Sequence, residues 1–306
     1  MKLVFLGTPA FAVPTLEAMV RAGHEVAAVV TQPDRPRGRG QHPAPPPVKE
    51  SAVALGLTVY QPERVRRPEA VEYLRGLGAE AMVVVGYGQI IPQGVIDLAP
   101  KGIINVHASL LPRFRGAGPV QWAIVNGETR TGVTTMRIDA GLDTGDMLLK
   151  AETEIGPEEN AVELGRRLAV LGADLLVETL ARLGEIAPEK QDAALATWAP
   201  LLKKEDGRID WALPAAAIHN RVRGLQPWPG ARTTFRGAPL GIWRSRVGEG
   251  SGAPGTILRM RPLLVAAGEG ALELVEVQME GRKRMSAADF ANGQRLTGND
   301  RLGEQS

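Results

Sequence analysis

Residues 1–31, MKLVFLGTPAFAVPTLEAMVRAGHEVAAVVT, decide the fold, because two strands and a helix between them can be identified there. The apolar runs LVFLG (3–7) and EVAAVVT (25–31) are typical of buried strands. Between these runs, four apolar residues recur at helical spacing: Val13, Leu16, Met19 and Val20. Gly23 follows them, where a helix end favours a residue that tolerates a positive φ. This order predicts two parallel strands joined by a crossover helix.

The same alternation continues along the chain. Further strand-like runs lie at 81–88, 102–107, 131–138 and 146–155. A long helical pattern at 158–184 follows them, with apolar residues on one side. We therefore predict a Rossmann-like α/β domain at 1–185, with a mostly parallel sheet and crossover helices.

The pattern of apolar and polar residues changes after residue 185. Residues 186–207 have no clear periodicity and contain the charge run Lys203-Lys204-Glu205-Asp206, which is typical of a surface linker. A short helical pattern at 214–223 comes next, and five strand-like runs separated by Gly-containing turns follow it. This arrangement predicts a small β-barrel domain at 208–306.

The composition excludes several kinds of function. The 306 residues include no cysteine and four histidines, which excludes disulfides, thiolate nucleophiles and Cys-based zinc sites, so no metal is expected. No apolar run reaches the ~18 residues of a membrane helix, and the N-terminus does not resemble a signal peptide. We therefore expect a cytoplasmic protein that does not bind membranes. The net charge is only +2, and the basic residues are in excess in the C-terminal third.

Two polar motifs lie where predicted strands end in loops. One is Asn105-Val106-His107-Ala108-Ser109-Leu110-Leu111-Pro112, and the other is Gly141-Leu142-Asp143-Thr144-Gly145-Asp146. The amide of Asn105 and the imidazole of His107 are suited to stabilise an oxyanion during acyl transfer to an amine. Asp143 and His107 are suited to carry the proton. The chain has no Cys and no GxSxG motif, so direct attack by the amine is the simplest mechanism.

Each of these residues also has a structural interpretation. Asn105 would cap a turn, His107 would satisfy a backbone carbonyl and Asp143 would form a turn. The three together, at the ends of predicted strands, favour a catalytic site. Asp139 and Asp146 are interpreted as turn residues, because the loop lacks the spacing and the closing Glu of an EF-hand.

A segment rich in proline and arginine follows the second predicted strand. Residues 32–47 include six prolines, and Arg35, Arg37 and Arg39 alternate with Pro and Gly. We predict an irregular insertion that serves as a functional arm, although a solvated loop remains the alternative.

Several of these segments together resemble the 10-formyltetrahydrofolate-dependent formyltransferases. The resemblance is carried by NVHASLLPRFRGAGPVQWAIVNGE (105–128), TGVTTMRIDAGLDTGDML (131–148), TQPDRPRGRG (31–40), LKKEDGRIDW (202–211), NRVRGLQPWPGA (220–231) and PGTIL (254–258). It implies 10-formyltetrahydrofolate as the formyl donor. The branch of the family that these segments resemble acts on initiator methionyl-tRNA, which implies this RNA as the partner.

The resemblance also implies roles for individual residues. Asn105, His107 and Asp143 match the catalytic residues of the family. The segments that match its folate-binding residues are Ser109, Leu110, Leu111 and Pro112, together with Gln89, Ile90 and Ile91. Thr8 and Pro9 match the acceptor side, and Arg35, Arg37 and Arg39 match the arm that binds the tRNA acceptor stem. The C-terminal domain is similar to an OB-like barrel that binds tRNA, and we expect a monomer.

Four alternative functions share some features with this sequence. The nearest is a formyltransferase that acts on a UDP-amino-sugar with the same donor, but RPRGRG and GLDTGD resemble the tRNA enzymes more closely. Glycinamide ribonucleotide formyltransferases end near the end of the first predicted domain. A non-catalytic RNA-binding protein would not need Asn105, His107 and Asp143. A nicotinamide-dependent reductase would need a glycine fingerprint that is absent after the first strand.

Overall fold

The computed structural model of the protein describes residues 1–37, 42–298 and 300–303. The chain divides into two compact units. The first unit comprises Met1–Gly116, Thr131–Thr153 and Gly165–Trp198, and the second comprises Ala117–Arg130, Glu154–Leu164 and Ala199–Ser306. The predicted domain limits at 185 and 208 differ from this division, and they stay a prediction about which parts of the chain fold separately.

Strands and helices alternate up to residue 181. The strands are β1 (Lys2–Gly7), β2 (Glu25–Val30), β3 (Arg35–Arg37), β4 (His42–Ala44), β5 (Val59–Tyr60), β6 (Ala81–Val85), β7 (Ile103–His107), β8 (Arg130–Arg137) and β9 (Met147–Glu154). The helices are α1 (Val13–Arg21), α2 (Pro47–Ala54), α3 (Pro68–Gly76), α4 (Gln93–Ile96), α5 (Pro119–Val125) and α6 (Ala161–Ala181).

Across the described residues, seven strands form one sheet in the order β5-β2-β1-β6-β7-β8-β9. The pairs from β5 to β7 are parallel, and β8 runs antiparallel to β7. Strands β6 and β7 are buried along their whole length, which explains their uninterrupted apolar sequences. The predicted Rossmann-like, mostly parallel sheet is therefore confirmed. The strand predicted at 81–88 ends at Val85, because Gly86 and Gly88 adopt positive φ angles and turn the chain.

The two helices predicted in this region are confirmed. Gly23 follows α1 with a φ of +77°, as the pattern indicated. Asn160 precedes α6, and its Oδ1 accepts hydrogen bonds from the N–H groups of Val162 (2.9 Å) and Glu163 (3.1 Å). This cap fixes the helix start three residues after the first residue of the predicted range.

The proline-rich arm is less irregular than predicted. Strands β3 and β4 form a short antiparallel pair in which Arg35 lies opposite Ala44 and Pro36 lies opposite Pro43. The prediction of an irregular segment is wrong for these residues, because proline is tolerated in a two-stranded ribbon where its position requires no N–H.

The elements of the C-terminal region are α7 (Ala215–Gly224), β10 (Ala231–Phe235), β11 (Ala238–Gly248), β12 (Ile257–Met260), β13 (Leu263–Ala266), β14 (Ala271–Met279), β15 (Met285–Ser286) and α8 (Ala287–Gly293). Over the described residues, the strands form one antiparallel sheet in the order β10-β11-β14-β13-β12, with β15 paired to β14. The five longer strands match the predicted runs. Buried apolar side chains from the sheet, α7 and α8 form its core.

The C-terminal segment connects the two edges of this antiparallel sheet. Leu302 N–H donates to the carbonyl of Gly255, just before β12, at 2.8 Å. Gly303 N–H donates to the carbonyl of Thr234 in β10 at 2.9 Å. Both edges are therefore covered, which supports the small barrel predicted from the sequence.

Candidate active site

One side of the candidate site lies where the parallel sheet reverses its strand order, between β1 and β6. Thr8 follows β1, and its hydroxyl donates to the carbonyl of Tyr87 after β6 at 2.9 Å. A Cβ built on Gly86 would lie 3.0 Å from Cγ of Pro9, so the two loops are in close contact. Open α/β sheets bind ligands at this point of the topology. Thr8 and Pro9 therefore lie at this point of the sheet, and their predicted role on the acceptor side stays a prediction.

Tyr87 supports this turn through its backbone. Its carbonyl also accepts a hydrogen bond from the Gln32 side-chain amide at 3.2 Å. The ring is buried in the apolar core, and its hydroxyl has no partner in the described part of the chain. Desolvation, with a smaller contribution from Tyr60, raises the pKa of Tyr87 to about 12. The phenol therefore stays protonated at neutral pH and is not a base for the reaction.

The segment predicted to contact the pterin follows Tyr87. The Gln89 side chain accepts from Val65 N–H at 2.9 Å and donates to the carbonyl of Glu63 at 3.2 Å. Ile91 is buried, whereas Ile90 is 88% exposed. The Gln89 side chain thus fixes the neighbouring loop, and Ile90 presents an apolar surface.

Asn105 and His107 lie on the same face of β7, because side chains alternate along a strand. They are 9% and 7% exposed, respectively. In the antiparallel pairing, Asn105 lies opposite Met136 and His107 lies opposite Thr134. Among the residues that the structure describes, no hydrogen-bond partner is found for the Asn105 side-chain amide. A nearly buried amide without a partner is suited to receive a ligand.

The imidazole of His107 has a neighbour at each nitrogen. Nε2 lies 3.0 Å from the carbonyl oxygen of Phe114, and Nδ1 lies 3.7 Å from Oδ2 of Asp143. A carbonyl only accepts, so Nε2 carries a proton and donates in this bond. The other ring nitrogen, Nδ1, faces the carboxylate of Asp143.

Asp143 is held close to His107 by the backbone. Its φ is +52°, an uncommon value for a residue with a side chain. Its Oδ2 accepts a hydrogen bond from the N–H of Gly116 at 2.9 Å. The structure thus brings together the two predicted proton carriers, and Asn105 lies two residues from one of them. Sequence reasoning missed Phe114 and Gly116, whose contributions come from backbone atoms and leave no side-chain signal.

The Ser109–Pro112 segment forms a folded loop after β7. Ser109 Oγ donates to the carbonyl of Arg113 at 2.6 Å. Thr134 Oγ1 donates to the carbonyl of Ser109 at 2.7 Å and accepts from Leu111 N–H at 3.1 Å. Ser109 and Leu111 are buried, whereas Leu110 and Pro112 are partly exposed. The buried side chains thus shape the loop, and the predicted folate contacts of these residues stay a prediction.

Asp139 has the turn role expected from the sequence. Its carboxylate accepts from the N–H of Gly141 at 3.0 Å and from the hydroxyl of Thr144 at 2.8 Å.

Within 1–37, 42–298 and 300–303, no group of three or more His, Asp or Glu side chains is arranged to hold a metal ion. In the same ranges, no helix has both the length and the apolar character needed to cross a membrane.

The base of the arginine arm is fixed by Asp34. Its carboxylate accepts from Gln61 and, with both oxygens, from Lys49, each at 2.8 Å. The hydrogen bond from Gln61, followed by that from Lys49, lowers the pKa of Asp34. Arg35 is exposed at the start of the arm. The Arg37 side chain and the whole of Arg39 lie outside the described residues, so their predicted tRNA contacts stay predictions.

Comparison with known proteins identifies the class to which this fold and site belong. Residues 1–180 match the formyl transferase family, and residues 201–295 match the formyl transferase C-terminal domain. The chain therefore belongs to the formyl transferase family.

Relatives that match nearly the whole chain include two methionyl-tRNA formyltransferases from different bacteria. Methionyl-tRNA formyltransferase of Solibacter usitatus (strain Ellin6076) is 80% identical over 308 residues, with 99% of each chain covered. The enzyme of that name from Koribacter versatilis (strain Ellin345) is 57% identical over 311 residues, with 100% of each chain covered.

A solved structure supports the fold. The N-formyltransferase of Helicobacter canadensis, in complex with folinic acid and dTDP-3-aminofucose, superposes with a TM-score of 0.67 at 17% identity. The match covers 91% of this chain and 99% of that one. This similarity concerns the fold alone.

Proposed function

We propose that this protein transfers the formyl group of 10-formyltetrahydrofolate to the α-amino group of methionyl-initiator tRNA. The products are formylmethionyl-tRNA and tetrahydrofolate. The observation that carries the proposal is the cluster of Asn105, His107 and Asp143 at the ends of neighbouring strands, in a chain 80% identical over its length to a methionyl-tRNA formyltransferase. The cluster supplies a hydrogen-bond donor and two proton carriers, which this transfer requires.

The first step is attack of the methionyl nitrogen on the formyl carbon. A C–N bond forms, and the formyl oxygen becomes an oxyanion in a tetrahedral intermediate. Asn105 is the best placed donor to this oxygen, because its amide is nearly buried and makes no hydrogen bond within the described chain. His107 Nε2 is already bonded to the Phe114 carbonyl, so His107 would have to exchange that bond to reach the oxyanion.

The second step moves one proton from the attacking nitrogen to the leaving nitrogen. Asp143 accepts the proton from the amine. The imidazole of His107, whose Nδ1 lies 3.7 Å from Oδ2 of Asp143, stabilises the charge that changes on this carboxyl group. The proton then passes to N10 of the folate as the bond between the formyl carbon and N10 breaks. Atoms and charge balance without a metal ion, and we propose none.

The donor would lie along the loops after β6 and β7. Ile90 offers an exposed apolar surface for the flat pterin, and Gln89 holds the neighbouring backbone in place. The loop Ser109–Pro112 would complete the folate site. Backbone donors and acceptors at the ends of apolar strands are suited to a ring system that has several polar edges.

The acceptor would be bound by basic residues. We propose that Arg35, Arg37 and Arg39 contact the tRNA acceptor stem and that the C-terminal antiparallel domain binds the tRNA elsewhere. Thr8 and Pro9 would line the acceptor side of the site. We further propose that the protein acts as a monomer in the cytoplasm, where its charged tRNA substrate occurs.

An acceptor competition assay tests this function. Purified protein is incubated with donor labelled in the formyl group and with equal concentrations of methionyl-initiator tRNA and a UDP-amino-sugar. We expect the label on the methionyl amine, and we expect no label when the tRNA is uncharged. Formylation of the sugar without formylation of the tRNA would contradict the proposal.

A further inference from the structure

A segment that looks like a linker in the sequence runs along the candidate active site. Residues 189–198, which we name the strap, belong to the first compact unit. At one end, Glu189 and Met147 exchange two backbone hydrogen bonds of 2.8 Å each, which adds the strap to the edge of β9. At the other end, Arg115 and Trp198 form a parallel bridge. The strap is thus fixed to the sheet and to the loop that follows β7.

Gln191 connects the strap to the backbone of Asp143. Its Nε2 donates to the carbonyls of Asp143 (2.9 Å) and Gly145 (2.8 Å). Its Oε1 accepts two hydrogen bonds from the buried guanidinium of Arg115, at 2.9 and 2.7 Å. All four hydrogen-bonding positions of this amide are therefore in use. A carboxylate at this position would keep the bonds from Arg115 and lose both donors to the Asp143 loop.

Thr197 connects the strap to the backbone of Phe114. Its Oγ1 accepts from Phe114 N–H at 2.8 Å, and its carbonyl accepts from Arg115 N–H at 2.8 Å. Phe114 has a φ of +60°, so its peptide is held in an unusual orientation. That orientation places the Phe114 carbonyl at Nε2 of His107.

The strap therefore holds both neighbours of the catalytic imidazole. Asp143 and Phe114 both have left-handed backbone conformations that side chains disfavour, and each is bonded to a side chain of the strap. We propose that Gln191 and Thr197 are positioning residues for formyl transfer, acting through Asp143 and Phe114 on His107. This inference rests on the proposed function, because it concerns the rate of that reaction.

Substitution of Gln191 tests the first contact. In Gln191→Glu, the two donors to the Asp143 loop are lost while Arg115 keeps its partner, so we expect kcat to fall by about 100-fold, the effect of displacing a reacting group by about 1 Å. We expect the KM for the folate donor to stay at the wild-type value and the thermal unfolding midpoint to fall, because the carbonyls of Asp143 and Gly145 lose their donors. Gln191→Ala should lower kcat at least as much. Gln93→Ala, which removes an exposed glutamine bonded to Asp97, is the matched control and should leave kcat unchanged.

Substitution of Thr197 tests the second contact. Thr197→Val keeps the shape of the side chain and removes the oxygen that fixes Phe114, so kcat should fall and the pH profile of kcat should change. Thr197→Ser keeps the oxygen and should restore both. Wild-type kcat in Gln191→Glu and Thr197→Val, or a rise in the donor KM at unchanged kcat, would overturn the inference. Wild-type protein assayed in parallel separates the two proposals, because its inactivity would contradict the function itself.

If Gln191→Ala fails to fold, Gln191→Glu and Thr197→Val decide the question. Gln191→Glu keeps the two hydrogen bonds from Arg115, and Thr197→Val keeps the shape of the side chain. Should one of them also unfold at a lower temperature, its kcat is measured below that transition, where the folded fraction matches that of the control. A lower kcat than that of wild type under those conditions supports the positioning role of the substituted residue. An unchanged kcat contradicts that role.

Discussion

Asn105 and Asn160 are residues of one type with different surroundings in this protein. Asn105 is nearly buried on β7, and its amide has no partner within the described residues. Asn160 caps α6 through its Oδ1, and the Glu163 carboxylate accepts from its backbone N–H at 3.0 Å, which completes a capping box. We propose a ligand-binding role for the Asn105 amide, so its substitution should affect activity, whereas substitution of the Asn160 cap should affect stability.

We predict that Asn105→Leu lowers kcat by about 100-fold or more, because a donor to the oxyanion is lost. The free energy of unfolding should not decrease, since no hydrogen bond within the described protein is removed. Asn160→Ala should decrease the free energy of unfolding by about 1 kcal/mol and leave kcat unchanged. Steady-state kinetics and urea unfolding measure both effects. A stability loss in Asn105→Leu as large as that in Asn160→Ala would assign Asn105 a structural role.

The sequence predicted the side chains of the candidate site and missed the atoms that hold them. Asn105 and His107 are visible because they are polar residues at the end of an otherwise apolar strand, where they need an explanation. Phe114 and Gly116 contribute a carbonyl and an N–H to His107 and Asp143, and such contacts depend on backbone conformation alone. Gln191 lies 48 residues after Asp143 in a segment without periodicity, so only the folded chain shows their contact.

At the scale of elements, helix α6 packs on the sheet through a glycine. A Cβ added to Gly172 would lie 2.8 Å from Cγ1 of Val106 and 3.3 Å from Cγ1 of Val133, so the helix lies close to β7 and β8. Gly165 on the same helix has no atom within 4 Å of such a Cβ. The helix therefore carries its own matched control. Since Val106 lies between Asn105 and His107, this packing also supports the strand that carries the site.

We predict that Gly172→Ala decreases the free energy of unfolding by about 1–3 kcal/mol, because the added methyl group overfills the interface. Gly165→Ala should increase it by about 0.5–1 kcal/mol, since alanine is the better helix former. Chemical unfolding of both variants measures the two values. The packing account predicts effects of opposite sign, and a stabilising Gly172→Ala would contradict it.

Strands were predicted more completely than helices, for an identifiable reason. The buried strands are long apolar runs, and β1, β6 and β7 were found where the sequence indicated. Helices α2, α3 and α5 were not predicted. Each begins with a proline at its first residue, which favours a helix start and is easily mistaken for a loop. The short lengths of these helices, at most nine residues, also leave little periodicity to detect.

At the scale of the whole molecule, residues 300–303 link the two edges of the antiparallel sheet in the second unit. Asp300 is the first of these residues. Its carboxylate accepts hydrogen bonds from Arg236 at 2.8 and 3.0 Å and from the N–H of Thr297 at 2.8 Å. The hydrogen bond from Arg236 is the main cause that lowers the pKa of Asp300. The ionised form is therefore favoured in the folded state.

The lowered pKa of Asp300 predicts that this residue contributes to stability in a pH-dependent way. A carboxyl group whose pKa is lowered on folding stabilises the protein above its unfolded value of about 4, and the contribution is lost as the pH falls through the folded value. Asp300→Asn should decrease the free energy of unfolding at pH 7 by about 1 kcal/mol, since Arg236 is half exposed to solvent. Below pH 4, the free energies of unfolding of Asp300→Asn and wild type should become more similar. Urea unfolding at several pH values measures the difference in the free energy of unfolding between wild type and Asp300→Asn, and Glu249→Gln, at an exposed position, is the control. A difference that stays constant with pH would contradict this account.

The central claim is that His107 and Asp143, with Asn105, carry the proton and charge of formyl transfer. Asp143→Asn tests it most directly, because an amide oxygen can still accept from Gly116 while the proton carrier is removed. Single-turnover transfer of labelled formyl from bound 10-formyltetrahydrofolate to methionyl-initiator tRNA should slow by about 100- to 10,000-fold, with wild-type affinity for the donor. Transfer at the wild-type rate, or a loss of donor binding that accounts for the slower rate, would contradict the claim.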